Sequence, residues 1–310
     1  MPNILFAARA DSWDDYEPLL RAELDKTGLS YRLDTEMSPD KVDYIIYAPN
    51  SEVQDFTPYT RLKAVLNLWA GVEGVVGNAT LTAPLARMVD EEGLTQGMVE
   101  WVTGHVLRHH LGMDRHIVNP DQTWDDTPPP LSAQRPVTIL GLGTLGQACG
   151  QALTALGFPV TGWSRTAKEV PNIPCHSGET GLQEALTDAQ IVVLLLPDTP
   201  ETRDTINAAT LPLLAPGAAI LNPGRGPLID DEALLTALEG GQVGHATLDV
   251  FRTEPLPKDH AFWHHPKVTV TPHIASTTRP ESAARVIVDN IRRGEAGEPL
   301  LHLVDRTAGY

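Results

Sequence analysis

Short apolar runs alternate with amphipathic stretches along almost the whole chain, the pattern of a parallel sheet flanked by helices. In the first third, ILFAARA, DYIIYAP and LKAVLNLW read as strands. Between the first two, DDYEPLLRAELDKTG sets Tyr16, Leu19, Leu20 and Leu24 at helical spacing, and Gly28 supplies the stop. From about residue 95, TQGMVEWVTGHVLRHHLGMDRHIV is long enough for a helix of about five turns joining two domains. Met98, Val102, Val106 and Met113 line one side of it, a face that suits a domain core or a partner subunit equally. The TPPP cluster at 127–130 predicts an irregular loop.

A second series starts at PVTILGLGTLG. Its expected strands are VTILG, FPVTGWS, IVVLLLP, AAILNPG, HATLDV and VTVTPH, with LGQACGQALTALG and DDEALLTALEGG among the helices between them. Six strands with five crossovers is the count of a two-halved dinucleotide-binding fold. A last helix, within TTRPESAARVIVDNIRRGE, is expected to return the chain to the first domain. The class predicted is α/β: two Rossmann-like or flavodoxin-like domains with parallel sheets and a cleft between them. Residues 1–102 plus 279–310 form the expected discontinuous substrate domain, and residues 103–278 the dinucleotide-binding domain.

The 310 residues are 42% hydrophobic, enough for two real cores and too apolar for a disordered chain. Two cysteines and a start without a basic leader predict a cytoplasmic protein. No apolar run approaches a membrane span. A net charge of -17 opposes nucleic acid and anionic lipid as partners. It also means that a site for small anions has to carry its own cations.

GLGTLG follows an apolar strand and opens a helix, the context that makes a glycine loop informative. Gly141 permits the tight turn and Gly143 the close approach of a pyrophosphate. Gly146 lets helix and strand pack, while Thr144 and Leu145 begin a helix whose N–H groups face the anion. About twenty residues on, where an acid would hold the adenosine ribose, stand Ser164, Arg165 and Thr166, with Lys168 behind. Donors and a cation there suit a 2′-phosphate, so NADP(H) is the preferred cofactor and NAD(H) the alternative. The competing reading leaves Arg165 and Lys168 as solvated loop charges.

Three later segments each place one polar residue at or just past a strand's C-terminal end: Arg225, Glu254 and His273. Each alone has a structural explanation. Together they supply carbonyl reduction with an acid that titrates near neutrality, a carboxylate to steady it and a guanidinium for a 2-oxo carboxylate.

GLGTLG, NPGRG, LDVFRTEPLP and TPHIA, in that order, resemble the NAD(P)-dependent D-2-hydroxyacid dehydrogenases, particularly their glyoxylate/hydroxypyruvate reductase A branch. The resemblance runs to the terminal VDRTAGY. It implies Arg225 as substrate-binding residue, Glu254 as carboxylate partner, and His273 as general acid in reduction and base in oxidation. It implies a small 2-oxo or 2-hydroxy acid as substrate, the D configuration and a homodimer. The loop NLWAGVEG is implied to present the amides of Gly71 and Val72 to the substrate carboxylate, beside Trp69 and Ala70. Leu196, Pro197, Pro223, Gly224, Asp249 and His273 complete the expected cofactor surface. Gly224 stands where the family commonly has a small non-glycine residue, and is expected to loosen the Arg225 loop. Trp69 either narrows the pocket or belongs to the core. Arg279 either reaches substrate or begins a helix.

No metal is expected: His109–His110 and His264–His265 are adjacent pairs that point apart, without a third ligand at standard spacing. Neither cysteine sits in an activated-thiol motif. Phosphoglycerate- or formate-dehydrogenase chemistry with NAD, and a non-catalytic NADP(H)-sensing corepressor, are the alternatives.

Overall fold

The structure is a computed structural model that describes residues 1–307; positions 308–310, the end of VDRTAGY, lie outside the described residues. The chain divides into two compact units. One comprises Met1–Leu94 together with the chain from Thr278 onward; the other is Thr95–Thr277.

In the first unit, β1 (Asn3–Ala7), α1 (Trp13–Lys26), β2 (Arg32–Asp34), β3 (Tyr44–Tyr47), β4 (Ala64–Asn67), the single turn α2 (Glu73–Val76) and β5 (Leu85–Ala86) follow one another. The five strands are all parallel, in the order β2-β1-β3-β4-β5. That is the flavodoxin-like order. Strands β2 and β5 are too short to be legible in the sequence. Alternation sorts the strand residues to two faces: Ile4, Phe6, Tyr44 and Ile46 enter one core, and Leu5, Ala7, Ile45 and Tyr47 the other. Covering both faces is why these strands read as unbroken apolar runs.

The second unit opens with α3 (Gln96–Leu111) and α4 (Asp114–Ile117). The single five-turn helix expected here is broken at Gly112, whose φ of 61° ends α3 in a left-handed cap. Met98, Val102 and Val106 are buried in the core of this unit, which resolves the earlier ambiguity of that face. Met113, beyond the break, is exposed.

There follow β6 (Val137–Leu140), α5 (Thr144–Ala155), β7 (Val160–Ser164), β8 (Cys175–Ser177), α6 (Gly178–Leu186), β9 (Ile191–Leu194), β10 (Ala218–Asn222), α7 (Asp231–Glu239), β11 (Val243–Leu248) and β12 (Val268–Val270). The sheet is parallel with the order β12-β11-β10-β9-β6-β7-β8. It holds seven strands where six were expected. The addition is β8, a three-residue edge strand containing Cys175 and His176, with no apolar run to announce it. Finally α8 (Pro280–Ala296) returns to the first unit, where Ala283, Ala284, Ile287 and Ile291 pack in the same core as Leu20 and Leu24 of α1.

Candidate active site

The order of the second sheet carries the site. Neighbouring strands β10, β11 and β12 end, in turn, at the loops bearing Arg225, Glu254 and His273, while β6 ends at the glycine loop. Ligands of open parallel sheets bind beyond this C-terminal edge.

Gly141 has φ +110°, and a Cβ there would lie 2.4 Å from the Leu195 carbonyl oxygen. At Gly146 a Cβ would come 1.8 Å from the oxygen of Gly141, so α5 and β6 approach as closely as their backbones allow. In front of Gly143, by contrast, the space is open. Gly143 caps α5 and no side chain occupies the helix's first N–H groups. These residues fit a dinucleotide pyrophosphate: a strained turn, room for close approach and free donors at a positive helix end.

Immediately after β7, where an acid would hold the ribose, stand Arg165 and Thr166. Ser164 is buried, and its hydroxyl donates to the Thr166 carbonyl at 2.7 Å, shaping the turn that carries the exposed Arg165 and Thr166. Lys168 folds back and donates to the Leu142 carbonyl of the glycine loop at 2.9 Å. Its side chain, though exposed, thus reaches the glycine loop. Leu196, Pro223, Gly224 and Asp249 are buried and Pro197 half-buried at the ends of β9, β10 and β11.

Arg225 is held by its own loop. Asn222 donates to the Arg225 carbonyl at 2.9 Å and accepts from the Gly224 amide at 3.1 Å. A Cβ on Gly224 would lie 2.7 Å from the Leu194 carbonyl oxygen. A side chain at this position would make the backbone shift, and Asn222 clamps the turn from the other side. Gly226 brings this loop against the next, because a Cβ there would meet the backbone of Phe251 at 2.0 Å.

On that second loop, Glu254 Oε1 accepts from the Phe251 amide at 2.9 Å, and Oε2 lies 2.7 Å from His273 Nδ1. His273 has φ +52°, unusual for a side chain of its size. Its amide donates to the Asp249 carbonyl at 2.8 Å. The Asp249 carboxylate, fully buried, accepts from Thr271 Oγ1 and from the amides of Ile274 and Ala275. Asp249 therefore fixes the turn that presents the imidazole.

The hydrogen bond that His273 donates to Glu254 raises the His273 pKa above its ordinary 6.5, against partial burial and the nearby positive charge of Arg225. Burial pushes Glu254 upward, but the His273 bond, the Phe251 amide and the charges of His273 and Arg225 hold it below the usual carboxylate range. All three groups act on one another at one edge.

In the first unit, Asn67 donates to the carbonyls of Trp69 and Gly71, both at 2.8 Å, and so shapes the loop after β4. Trp69 is 43% exposed, which excludes the core alternative. Ala70 and Gly71 are half-buried and Val72 buried. Arg279 is exposed and stands at the N-cap of α8. Asn222 and Asn67 were missed in the sequence, although an Asn before Pro-Gly is itself a turn signal.

His109 and His110 point apart, but His109 has neighbours distant in the chain. His110 packs edge-on against Phe158, whereas His109 lies beside His245 with ring centroids 4.9 Å apart. Burial lowers the pKa of His109 to about 3 and that of His245 to about 4. Burial also pushes the Cys149 thiol up to about 12, consistent with an unreactive cysteine.

A family model described as D-isomer specific 2-hydroxyacid dehydrogenase, NAD binding domain, matches residues 103–275. The glyoxylate/hydroxypyruvate reductase A of Serratia proteamaculans is 38% identical, covering 95% of this chain and 98% of its own. That of Yersinia enterocolitica is 35% identical with the same coverage. Among solved structures, a D-isomer specific 2-hydroxyacid dehydrogenase from Xanthobacter autotrophicus in complex with NADPH and MES superposes with TM-score 0.92. It is 38% identical and covers 100% of this chain and 99% of that one. An NADPH-dependent glyoxylate/hydroxypyruvate reductase from Sinorhizobium meliloti, in complex with NADP and sulfate, gives TM-score 0.86 at 31% identity with both chains fully covered.

Proposed function

The chain belongs to the D-isomer specific 2-hydroxyacid dehydrogenase family, and from that membership we propose that it reduces small 2-oxo acids, such as glyoxylate and hydroxypyruvate, to D-2-hydroxy acids with NADPH. The observation that carries the reading is the 2.7 Å bond between His273 Nδ1 and Glu254 Oε2, with Arg225 near enough to act on both.

Gly141, Gly143 and Gly146 hold the cofactor pyrophosphate, and Ser164, Arg165 and Thr166 shape and charge the seat of its 2′-phosphate. Bound there, the cofactor supplies the hydride. Glu254 keeps Nδ1 of His273 protonated, which leaves Nε2 to give its proton to the substrate oxygen as negative charge builds on it. Arg225 draws the substrate carboxylate into place with paired hydrogen bonds, offsetting the repulsion of a chain with net charge -17. In the loop after β4, the amides of Gly71 and Val72 are further donors for that carboxylate. Trp69, exposed at its start, favours the smaller acids. The relatives named as NADPH-dependent support the cofactor preference, as does the missing acid immediately after β7.

The test is kcat/KM for glyoxylate and hydroxypyruvate with NADPH and NADH, for the native chain, Arg165→Asp and His273→Ala. The native enzyme prefers NADPH, and Arg165→Asp reduces that preference by about ten- to a hundredfold, the worth of a charged hydrogen bond. His273→Ala abolishes turnover while NADPH still binds. A native preference for NADH refutes the phosphate seat, and turnover retained in His273→Ala refutes the acid.

A further inference from the structure

The end of α3 carries a cluster for which carbonyl reduction has no use. His105 and His109 are four residues apart on this helix and so leave it on one face. Just past the left-handed Gly112, Asp114 turns back and accepts from Arg108 Nε at 2.6 Å through Oδ1. His245 joins them from β11. His109, Asp114 and His245 each bring a ligand atom within 4.8 Å of the other two.

A threonine hydroxyl lies against one nitrogen of each imidazole. His109 Nε2 lies 2.9 Å from Thr247 Oγ1, and His245 Nε2 lies 2.8 Å from Thr269 Oγ1. A hydroxyl that accepts from Nε2–H keeps the proton there and leaves the Nδ1 lone pair free, the way metal-binding imidazoles are oriented. Arg108 holds one oxygen of Asp114, Oδ1.

We propose that His109, Asp114 and His245 bind a divalent cation of the zinc class, tying the end of α3 to β11. Two imidazoles and a carboxylate form a borderline donor set that favours zinc over magnesium or calcium. Zinc bonds of about 2.0–2.1 Å bring ligand atoms to roughly 3.3 Å from one another, so the three side chains close inward by a small rotation. Asp114, half-exposed beyond the helix break, has room to make it. The fourth position falls to water. Because Arg108 shares Asp114 with the ion, the affinity lies below that of a closed structural site.

The full chain, stripped with a chelator, is titrated with zinc chloride against a chromophoric competitor, and with cobalt(II) to follow its visible bands. The expected result is one equivalent per chain, lost in His109→Gln and in His245→Gln. It weakens about 10- to 100-fold in Thr247→Val, which removes only the orienting hydroxyl. His176→Gln, which disturbs a separate pair with Glu184, binds as the native chain does. Near-UV circular dichroism reports whether each variant is folded. The proposal is overturned if no equivalent binds, or if His109→Gln and His245→Gln bind as the native chain does. Should those two fail to fold, an unchanged affinity in Thr247→Val overturns it.

Discussion

Glu254 does two things for His273: it fixes Nδ1 at 2.7 Å and it favours the imidazolium. The second has a defined sign in pH. The His273 pKa is raised in the folded chain, so any stability from the pair is fully present below the ordinary 6.5 and is lost as pH rises through the higher folded value. Catalysis follows the same group. In the reduction direction kcat/KM is expected to hold at low pH and fall above the raised pKa; in oxidation, which needs the base, it rises there. Glu254→Gln keeps the shape but removes the charge, so the falling limb of the reduction profile moves to lower pH. A pH–rate profile of both forms checks this, and an unmoved limb would place the titrating acid elsewhere. At this scale the sequence was legible in residue type and order. It did not reveal Asn222, nor that Asp249, expected on the cofactor surface, is fully buried and gives its carboxylate to loop amides, because those bonds exist only after the loops have formed.

Among elements, α5 meets the turn that ends β6 with no room for a side chain. A methyl on Gly146 would have to displace the Gly141 carbonyl, only 1.8 Å from where it would lie. Gly146→Ala is expected to push the helix off the strand, at a cost of about 1–3 kcal/mol of overpacking. Because the free N–H groups of α5 move with it, NADPH affinity falls as well; fluorescence titration and thermal melting measure the two effects. The α1–α8 seam offers the opposite case. Leu24 is fully buried there beside α8, and Leu24→Ala leaves a cavity worth about 2–5 kcal/mol in chemical denaturation. Element types were readable because long runs with a clear period leave little choice. The short strands β2, β5 and β8 were not, since two or three residues carry no period and their pairing comes from the sheet beside them. The break at Gly112 was also missed, because one glycine in a helical pattern ends it only where the following residues fold back.

For the whole molecule, chain order makes the first unit depend on residues that come more than 180 positions after the rest of it. Its core contains Ala283, Ala284, Ile287 and Ile291 of α8, packed with Leu20 and Leu24. Deleting the chain from Thr278 onward is therefore expected to leave residues 1–94 unable to close their core. Limited proteolysis should then cut within that segment while the native chain resists; equal protection in both would show that α8 is dispensable. Among the described residues no helix is long and apolar enough to cross a membrane.

By itself the sequence determined the α/β class, the parallel runs, the glycine loop, the missing acid and the order of Arg225, Glu254 and His273. These are local matters of period, turn chemistry and residue type. Tertiary structure alone decided that β10, β11 and β12 lie side by side, so that three distant loops meet at one edge and Glu254 reaches His273. It alone brought His245 to His109, 136 positions earlier in the chain. Such neighbours follow from how strands pair across a sheet, and no spacing along the chain records that.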